Sequence, residues 1–254
     1  LAGGSVFGLG AADAVAGSLS AGGVGLTLVP GTPAVPIVPA ACLYDLNNGG
    51  AKDWGETPPY GALAREALGA VSRESGQGSL GAGYGAMAGV WRGGFGVASA
   101  EFEGVTVTAW IATNAIGSPL MPDGRTFWAW PFERDGEFGG RRPGAMEPPP
   151  ALPEDIKGGV ATATCIGAVG VSVAQSRGAL KRIAVMAQDG LARALRPAHA
   201  PFDGDTIFAL APQGEAADDP RRTMALGSLA ADCVARAVAL GCWHAEEGFA
   251  RTVR

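Results

Sequence analysis

The chain has 254 residues, enough for one large domain or two small ones, and its composition, 47% hydrophobic and 17% charged, excludes a disordered protein. A net charge of -5 offers no electrostatic footprint for nucleic acid or for an anionic membrane surface, so neither is expected as a partner. The 41 glycines follow no Gly-X-Y period, which excludes collagen and predicts many tight turns.

The N-terminal region and the cysteines bear on the location of the protein. The apolar N-terminal stretch is interrupted by Asp13, and residues 24–42 carry four prolines, so neither a membrane span nor a signal peptide is predicted. The four cysteines form no CxxC pair, which predicts a reduced, cytoplasmic protein without a zinc site. Because the chain begins at Leu1 within what reads as a continuing element, we expect an N-terminal truncation.

The first half of the chain contains a helix followed by β-rich segments. Apolar periodicity and turn residues predict, in order, a buried helix of small residues over 5–19, β-rich runs over 24–29 and 36–44, a short helix over 63–71, strands over 96–102 and 105–114, and an excursion over 117–142 with turns at 122–124 and 134–136.

The second half begins with a clear break. Five prolines among small and charged residues predict that 143–159 is an exposed, cleavable linker without regular structure. A strand over 162–173, an amphipathic helix over 178–195, a strand over 207–210 and a buried helix over 224–241 are predicted to follow. Strands and helices that come in runs favour an α+β architecture, with two sheets and helices outside them.

Several common site patterns fail on their context. The glycines of 76–81 match a dinucleotide fingerprint as text, but no apolar strand leads into them, so we expect a glycine-rich loop or sheet edge and no nucleotide cofactor. The chain has two histidines, too few for a histidine-based metal site, and neither has a catalytic neighbour in sequence. We expect His199 to be a structural hydrogen-bonding residue and His244 to lie on the surface.

Two other patterns fit catalysis without a histidine base. Asp203 and Asp205 flank a glycine just before an apolar strand, so both carboxylates could converge on one site, although a plain turn with solvated acids has the same pattern. The Pro-rich linker leads into the segment Ala161-Thr162-Ala163-Thr164-Cys165. This order suits an N-terminal threonine nucleophile released by cleavage, and it equally suits an ordinary strand that contains threonine.

Ordered motifs along essentially the whole chain carry a family resemblance. They are Leu1-Ala-Gly-Gly-Ser-Val-Phe-Gly-Leu-Gly-Ala-Ala-Asp13, Pro36-Ile-Val-Pro-Ala-Ala-Cys-Leu-Tyr-Asp-Leu46, Gly81-Ala-Gly-Tyr-Gly-Ala-Met-Ala-Gly89, Thr113-Asn-Ala115, Phe127-Trp-Ala-Trp-Pro-Phe132, Gly136-Glu-Phe-Gly-Gly140, Thr164-Cys-Ile-Gly167, the segment from Arg182 to Ala194, and Phe202-Asp-Gly-Asp-Thr206. The sequence resembles the self-processing L-aminopeptidase/D-esterase (DmpA-like) hydrolases, which include β-aminopeptidases and the nylon-oligomer (6-aminohexanoate oligomer) hydrolases.

The resemblance implies a fold and an organisation. The fold would be a four-layer αββα sandwich of the N-terminal-nucleophile type, here without its N-terminal strands. The chain would be a single hydrolase domain, 1–254, cut at Ala163-Thr164 into an α chain, 1–163, and a β chain, 164–254. Such cut αβ units would form a homo-oligomer.

The resemblance also implies residue roles. Thr164 would be the nucleophile, Asn114 would lie on the oxyanion side, and Tyr44 would be the active-site tyrosine. Asp203 and Asp205 would orient the nucleophile and its amine. The substrate would be a small peptide or amide, with no metal and no cofactor.

Three positions depart from the family pattern and bear on self-cleavage more than on the fold. Ala163 precedes the bond where Asn or Gly is usual, Cys165 replaces the second Thr of a Thr-Thr pair, and Arg92 stands where a Lys is usual. Arg92 and Cys165 are therefore candidate supporting residues, although arginine stays protonated at neutral pH and so cannot transfer a proton as lysine can. An acyltransferase of the ornithine acetyltransferase type, or a non-catalytic relative, remains an alternative.

Overall fold

A computed structural model describes the chain at residues 1–145, 149–158, 163–216 and 219–245. The helices are α1 (Gly10–Ala21), α2 (Tyr60–Gly69), α3 (Arg177–Ala187), α4 (Asp189–Ala194) and α5 (Pro220–Ala245), with 3-10 turns at Ser5–Leu9, Gly81–Gly83 and Trp130–Phe132. The strands are β1 (Met87–Ala88), β2 (Trp91–Arg92), β3 (Gly94–Phe102), β4 (Val105–Thr113), β5 (Ile166–Val171) and β6 (Thr206–Leu210).

A four-stranded sheet in the order β3-β4-β5-β6 forms the centre of the fold. The first three strands pair antiparallel, and β5 pairs with β6 in parallel. Alternating burial along β3 and β4 places one face of the sheet in the core, as the sequence pattern predicts. Glu103 and Gly104 close the β3–β4 hairpin, both with positive φ, which suits a two-residue turn between right-twisted strands.

Helix α5 covers the core face of the sheet with its backbone in direct contact with β3. A Cβ added to Gly94 would collide with the Gly241 carbonyl, and one added to Gly96 would collide with the Ala237 carbonyl. Among the described residues, α5 is the one helix long and apolar enough to cross a membrane, but 78% of its apolar window is buried inside the protein. It therefore serves as the core helix, which confirms the buried C-terminal helix predicted from sequence.

The connection from β5 to β6 runs through two helices rather than the single helix predicted over 178–195. Helix α3 begins at a Ser176 cap, whose side chain accepts from the Ala179 N–H at 3.1 Å, and ends at Ala187. The chain then turns into α4, where Gly190 lies against α5; a Cβ there would be 2.5 Å from the Val234 Cβ. The break allows this close approach, which hydrophobic periodicity does not reveal.

The opposite face of the sheet is only partly covered. A small cluster of Leu43, Ala82, Ala86, Ala112 and Ile166 packs on one end of it. Toward the other end, apolar side chains remain half-exposed, including Val97, Trp110, Ala168 and Phe208. The described residues form one four-stranded sheet and the β1–β2 ribbon, so the second sheet of the predicted two-sheet arrangement is not among them.

The N-terminal region differs most from the sequence prediction. The helix predicted over 5–19 is present as a 3-10 turn followed by α1, but Val6 and Leu9 are exposed rather than buried. The runs over 24–29 and 36–44 form isolated bridges instead of strands. Pro30 directly follows the first run, and Pro36 and Pro39 lie within the second, so neither can continue a regular ladder. A groove of about 1350 Å³ lies among α1, α2 and the adjoining loops. The glycines of 76–81 form the predicted sheet-edge loop, where Gly78 pairs with Phe95.

Candidate active site

The sheet topology brings the predicted site residues to one edge. Asn114 follows β4 and Thr164 precedes β5, and these antiparallel neighbours place the end of one strand beside the start of the other. The segment 203–205 precedes β6, which runs parallel to β5, so it reaches the same edge. Residues distant in sequence thus lie together around the Ala163–Thr164 bond.

The Ala163 carbonyl receives two donors. The Thr164 hydroxyl donates to it at 2.5 Å, and the Gly204 N–H donates to it at 3.1 Å. The Thr164 N–H donates to the Asn114 carbonyl at 2.6 Å. The peptide bond proposed for cleavage is therefore held on both sides, with a hydroxyl beside its carbonyl oxygen.

Gly204 permits the close approach of the acidic turn to Thr164. A Cβ at this position would be 3.1 Å from Thr164 Oγ1, tighter than most side-chain contacts, and 3.5 Å from Thr164 Cγ2, an ordinary contact. The glycine between the two acids thus brings its backbone N–H within hydrogen-bonding reach of the Ala163 carbonyl.

Asp205 holds the backbone just after Thr164, the nucleophile predicted from sequence. Its Oδ1 accepts from the Cys165 N–H at 2.7 Å, and its Oδ2 contacts His199 Nδ1 at 2.8 Å. This confirms that His199 is a hydrogen-bonding residue, although its partner was not predicted. His199 has a positive φ of 53°, which fixes its ring beside the carboxylate at the cost of backbone strain.

Asp203 contacts the same region through backbone groups. Its carboxylate accepts from the Ile116 N–H at 3.4 Å and from the Ala200 N–H at 2.8 Å, and its backbone forms a parallel bridge with Ala163. Burial raises the pKa of Asp203, and the charge of Asp205 raises it further. The two acids thus converge on the segment around the bond, as alternation along the strand predicts.

Asn114 is almost fully buried, and its side chain is fixed by hydrogen bonds. Its Oδ1 accepts from the Met87 N–H at 3.1 Å and from Lys157 Nζ at 2.8 Å, and its Nδ2 donates to the Tyr44 carbonyl at 2.9 Å. Tyr44 therefore reaches the site through its backbone, and a role for its hydroxyl stays a prediction.

Lys157 belongs to the site but was missed by sequence reasoning. Burial lowers the pKa of its amine from 10.5 to about 8, against the opposing effects of Cys165 and Asp203. The sequence pattern predicts that Lys157 lies in an exposed linker, yet Pro153 is buried and residues 155–157 are half-buried. The signal that could have pointed to it is its rarity, since the chain has only three lysines.

The two candidate supporting residues, Cys165 and Arg92, lie in different surroundings. The Cys165 side chain is buried, and burial raises the pKa of its thiol well above the usual range, so it packs as an apolar residue. Arg92 donates to the Ser79 hydroxyl at 3.1 Å and to the Tyr84 carbonyl at 2.9 Å, which fixes the loop before β1.

His244 is exposed near the end of α5, as predicted. Within the described ranges no three His, Cys, Asp or Glu side chains could hold a metal ion.

Comparison with solved structures identifies the class of fold. An L-aminopeptidase D-Ala-esterase/amidase from Ochrobactrum anthropi, described as a new variant of the Ntn hydrolase fold, matches 92% of this chain with a TM-score of 0.61 at 23% identity. A Burkholderia sp. β-aminopeptidase matches 91% with a TM-score of 0.61 at 20% identity. The chain spans 62% of each of these structures. Its fold is therefore similar to this Ntn hydrolase variant.

Comparison of sequences gives the family. The profile of peptidase family S58 matches residues 1–253. Uncharacterized aminopeptidases of Mycobacterium tuberculosis and Mycobacterium bovis are 39% identical over 262 residues, which cover 97% of this chain and 74% of each relative. One from Mycobacterium leprae is 38% identical and covers 97% and 71%. The chain belongs to peptidase family S58, a family of hydrolases, which confirms the resemblance drawn from its motifs.

Proposed function

We propose that the protein is a self-processing amide and peptide hydrolase with Thr164 as its nucleophile. The observation that carries the proposal is the Ala163 carbonyl, which accepts from both the Thr164 hydroxyl and the Gly204 N–H. A hydroxyl beside a carbonyl that is already polarised by a backbone donor is the arrangement that intramolecular acyl transfer needs.

Self-cleavage would proceed as an N-to-O acyl shift followed by hydrolysis. The Thr164 oxygen attacks the Ala163 carbonyl carbon, the C–N bond to Thr164 breaks, and the hydroxyl proton passes to the leaving nitrogen. Water then opens the ester, which releases Ala163 as a carboxylate and restores the Thr164 hydroxyl. Ala163 contributes only its carbonyl to these steps, so alanine is compatible with cleavage.

The Gly204 N–H would stabilise the oxyanion of this step. Its 3.1 Å contact with the carbonyl oxygen already exists in the uncut chain, and such a donor typically contributes about 2.7–4 kcal/mol. The Asn114 amide nitrogen donates to the Tyr44 carbonyl in the uncut chain. We therefore assign the Asn114 side chain to the oxyanion of external substrates rather than to self-cleavage.

After cleavage, the new Thr164 amine would act as the base for its own hydroxyl. The Asn114 carbonyl, which accepts from the Thr164 nitrogen at 2.6 Å, would orient that amine. Asp205 would keep the backbone at Cys165 in place through its 2.7 Å hydrogen bond, and Asp203 would place a negative charge beside the amine. An acyl-enzyme would form on the Thr164 oxygen and would be hydrolysed by water.

The substrate class follows from the relatives and from the acids of the site. The related proteins carry the names aminopeptidase, β-aminopeptidase and L-aminopeptidase D-Ala-esterase/amidase. Asp203 and Asp205 supply negative charge for a substrate ammonium group next to the bond. We propose a small peptide or amide with a free amino end as the substrate.

We also propose the four-layer αββα arrangement and a homo-oligomer of cut αβ units for the whole protein. The support is the half-exposed apolar face of the sheet, with Trp110 and Phe208, which a second layer would cover. None of the four cysteines, all of which lie in the described ranges, forms a disulfide, which suits a reducing compartment, and we propose a cytoplasmic location.

N-terminal sequencing of the purified protein tests the nucleophile. We expect two chains from the wild type, the second beginning Thr-Cys-Ile-Gly, a single inactive chain from Thr164→Ala, and slower cleavage from Thr164→Ser. Thr162 lies outside the described residues, and Thr162→Ala is the matched control that should still be cut. A second chain beginning Thr-Ala-Thr-Cys would move the nucleophile to Thr162, and an uncut wild type with amidase activity would exclude the mechanism.

A panel of amino-acid p-nitroanilides, β-amino amides and aminohexanoate oligomers tests the activity. Turnover of at least one class by cut wild type, and none by Thr164→Ala, is the expected result. An added amino acid that captures the acyl group instead of water would identify an acyltransferase.

A further inference from the structure

Residues 153–158, named here the strap, are bound to the protein through Asp155. Its Oδ2 accepts from Trp91 Nε1 at 3.1 Å and from the Ser118 hydroxyl, and its backbone carbonyl accepts from the Val90 N–H at 3.0 Å. All of these residues belong to the predicted α chain. The proposed cut therefore breaks none of the contacts that hold Asp155.

Lys157 is the strap residue that enters the site. Its Nζ donates to Asn114 Oδ1 at 2.8 Å, and its backbone N–H donates to the Ile116 carbonyl at 2.9 Å. The preceding residue, Ile156, packs against the small apolar cluster that contains Ile116. Asn114 and Ile116 follow β4, so they too belong to the predicted α chain. Lys157 is thus fixed, at its side chain and at its backbone, to the segment that carries Asn114.

The Lys157 amine is a charged donor at neutral pH. Burial lowers its pKa from 10.5 to about 8, against the opposing effects of Cys165 and Asp203, which face it. The protonated form therefore prevails at pH 7 by roughly tenfold. A hydrogen bond from an ammonium to an amide oxygen is stronger than one between neutral groups, so this contact dominates the surroundings of Asn114 Oδ1.

The contacts of the Asn114 side chain fix which of its two polar atoms faces which way. Lys157 Nζ and the Met87 N–H are both donors, so the oxygen rather than the nitrogen must face them. The nitrogen, Nδ2, carries two hydrogens, and among the described residues it has one acceptor, the Tyr44 carbonyl at 2.9 Å. Its second hydrogen is therefore available to an oxyanion.

We propose that Lys157 is a positioning residue for turnover, which keeps the second Nδ2 hydrogen of Asn114 directed at the oxyanion of an external substrate. Lys157 acts through Asn114, and its contacts lie within the α chain, so it stays in place after the cut. Without this charged donor, the Asn114 oxygen keeps only the Met87 N–H, and the amide is free to rotate. The inference rests on the proposed function, in which Asn114 stabilises that oxyanion.

The experiment measures turnover by cut enzyme with and without each partner of the contact. Lys157→Met keeps the apolar stem and removes the charge, Lys157→Arg keeps a charged donor, and Lys181→Met changes an exposed lysine on α3 as a control. Lys157→Met is also made in the Asn114→Ala background. The assay gives kcat and KM on the p-nitroanilide that wild type turns over fastest. Because kcat is expressed per cut chain, measured on gels, an effect on self-cleavage does not enter it.

We expect Lys157→Met to lower kcat about tenfold and to leave KM within about twofold of wild type, because the lost interaction is made in the transition state. Lys157→Arg should keep more than about a third of kcat, and Lys181→Met should match wild type. Asn114→Ala should lower kcat about 100-fold or more. In that background, Lys157→Met should lower kcat by less than about a further twofold, because its target is already gone.

The double variant separates positioning from a general loss of structure, which would lower kcat in both backgrounds. An equal loss from Lys157→Met with and without Asn114, or a wild-type kcat in Lys157→Met, would overturn the inference. A Lys157→Met chain that is never cut while Asn114→Ala is cut would overturn it too, since Lys157 would then act through another group. A wild type that stays uncut or turns over none of the substrates would instead remove the proposed function itself.

Discussion

Replacing Asp205 with alanine removes the acceptor that holds the backbone after Thr164, the proposed nucleophile. The Asp205 side chain is 6% exposed and Cys165 is 1% exposed, so the Cys165 N–H would lose its partner in a buried place. A buried donor left unsatisfied costs about 1–3 kcal/mol, and a chain of this size loses about 2–4 °C of Tm per kcal/mol. We expect Asp205→Ala to lower Tm by about 2–12 °C.

The same change should slow self-cleavage, because Cys165 is bonded directly to Thr164. A loss of about 1.4–2.8 kcal/mol in the positioned state corresponds to about a 10- to 100-fold slower cut. Differential scanning calorimetry of uncut Thr164→Ala chains, with and without the Asp205 change, measures the stability. Time courses on gels, with chains that keep Thr164, measure the rate of self-cleavage.

Two further variants make this prediction specific. Asp205→Asn keeps an oxygen for the Cys165 N–H and can donate to His199 Nδ1, so it should recover most of the Tm and part of the cleavage rate. Asp53→Ala removes an exposed acid and should change neither. A wild-type Tm and cleavage rate in Asp205→Ala would refute the reasoning, since the buried N–H would then have needed no acceptor.

Three other changes test separate parts of the structure. Gly204→Ala would place a Cβ 3.1 Å from Thr164 Oγ1 and should slow self-cleavage about tenfold on gels, whereas Gly178→Ala, whose Cβ meets only Ser176 Oγ at 3.8 Å, should not. Burial lowers the pKa of Lys157 from 10.5 to about 8, so its reductively methylated amine should titrate near pH 8 by NMR in uncut protein. Between pH 8 and pH 10.5 the unfolded chain binds this proton more tightly than the folded chain does. The free energy of unfolding should therefore rise over that pH range. Ile183→Ala, at a fully buried core position, should cost about 2–5 kcal/mol in denaturant unfolding, and a cost below about 1 kcal/mol would contradict its place in the core.

The sheet and its core helix were predictable because their signals are local. Alternation along β3 and β4, the hairpin at Glu103-Gly104, and the long apolar run of α5 each follow from short stretches of sequence. The convergence of the acid pair was predictable for the same reason, since residues two apart on an extended segment are expected on one side.

The parts that sequence reasoning missed depend on long-range contacts. The contact of Lys157 with Asn114 depends on the path of the Pro-rich segment before it. That path is fixed by the hydrogen bond between Asp155 and Trp91, which are 64 residues apart in sequence. The contact between His199 and Asp205 depends on a positive φ at the histidine, which no periodicity reveals. The exposure of Val6 depends on which segments pack against the N-terminal region, and these lie far from it in sequence.

The contact of α5 with the glycines of β3 determines how the protein tolerates sequence change. Where backbone packs on backbone, no side chain can change rotamer to absorb an added methyl group, so the whole 26-residue helix must move as a body. That movement would shift β3 and then β4, whose end carries Asn114. A substitution at Gly96 would therefore impair the proposed self-cleavage although the residue lies on β3, away from Thr164. Genetic screens for processing defects should accordingly recover positions in this contact as well as positions in the cleft.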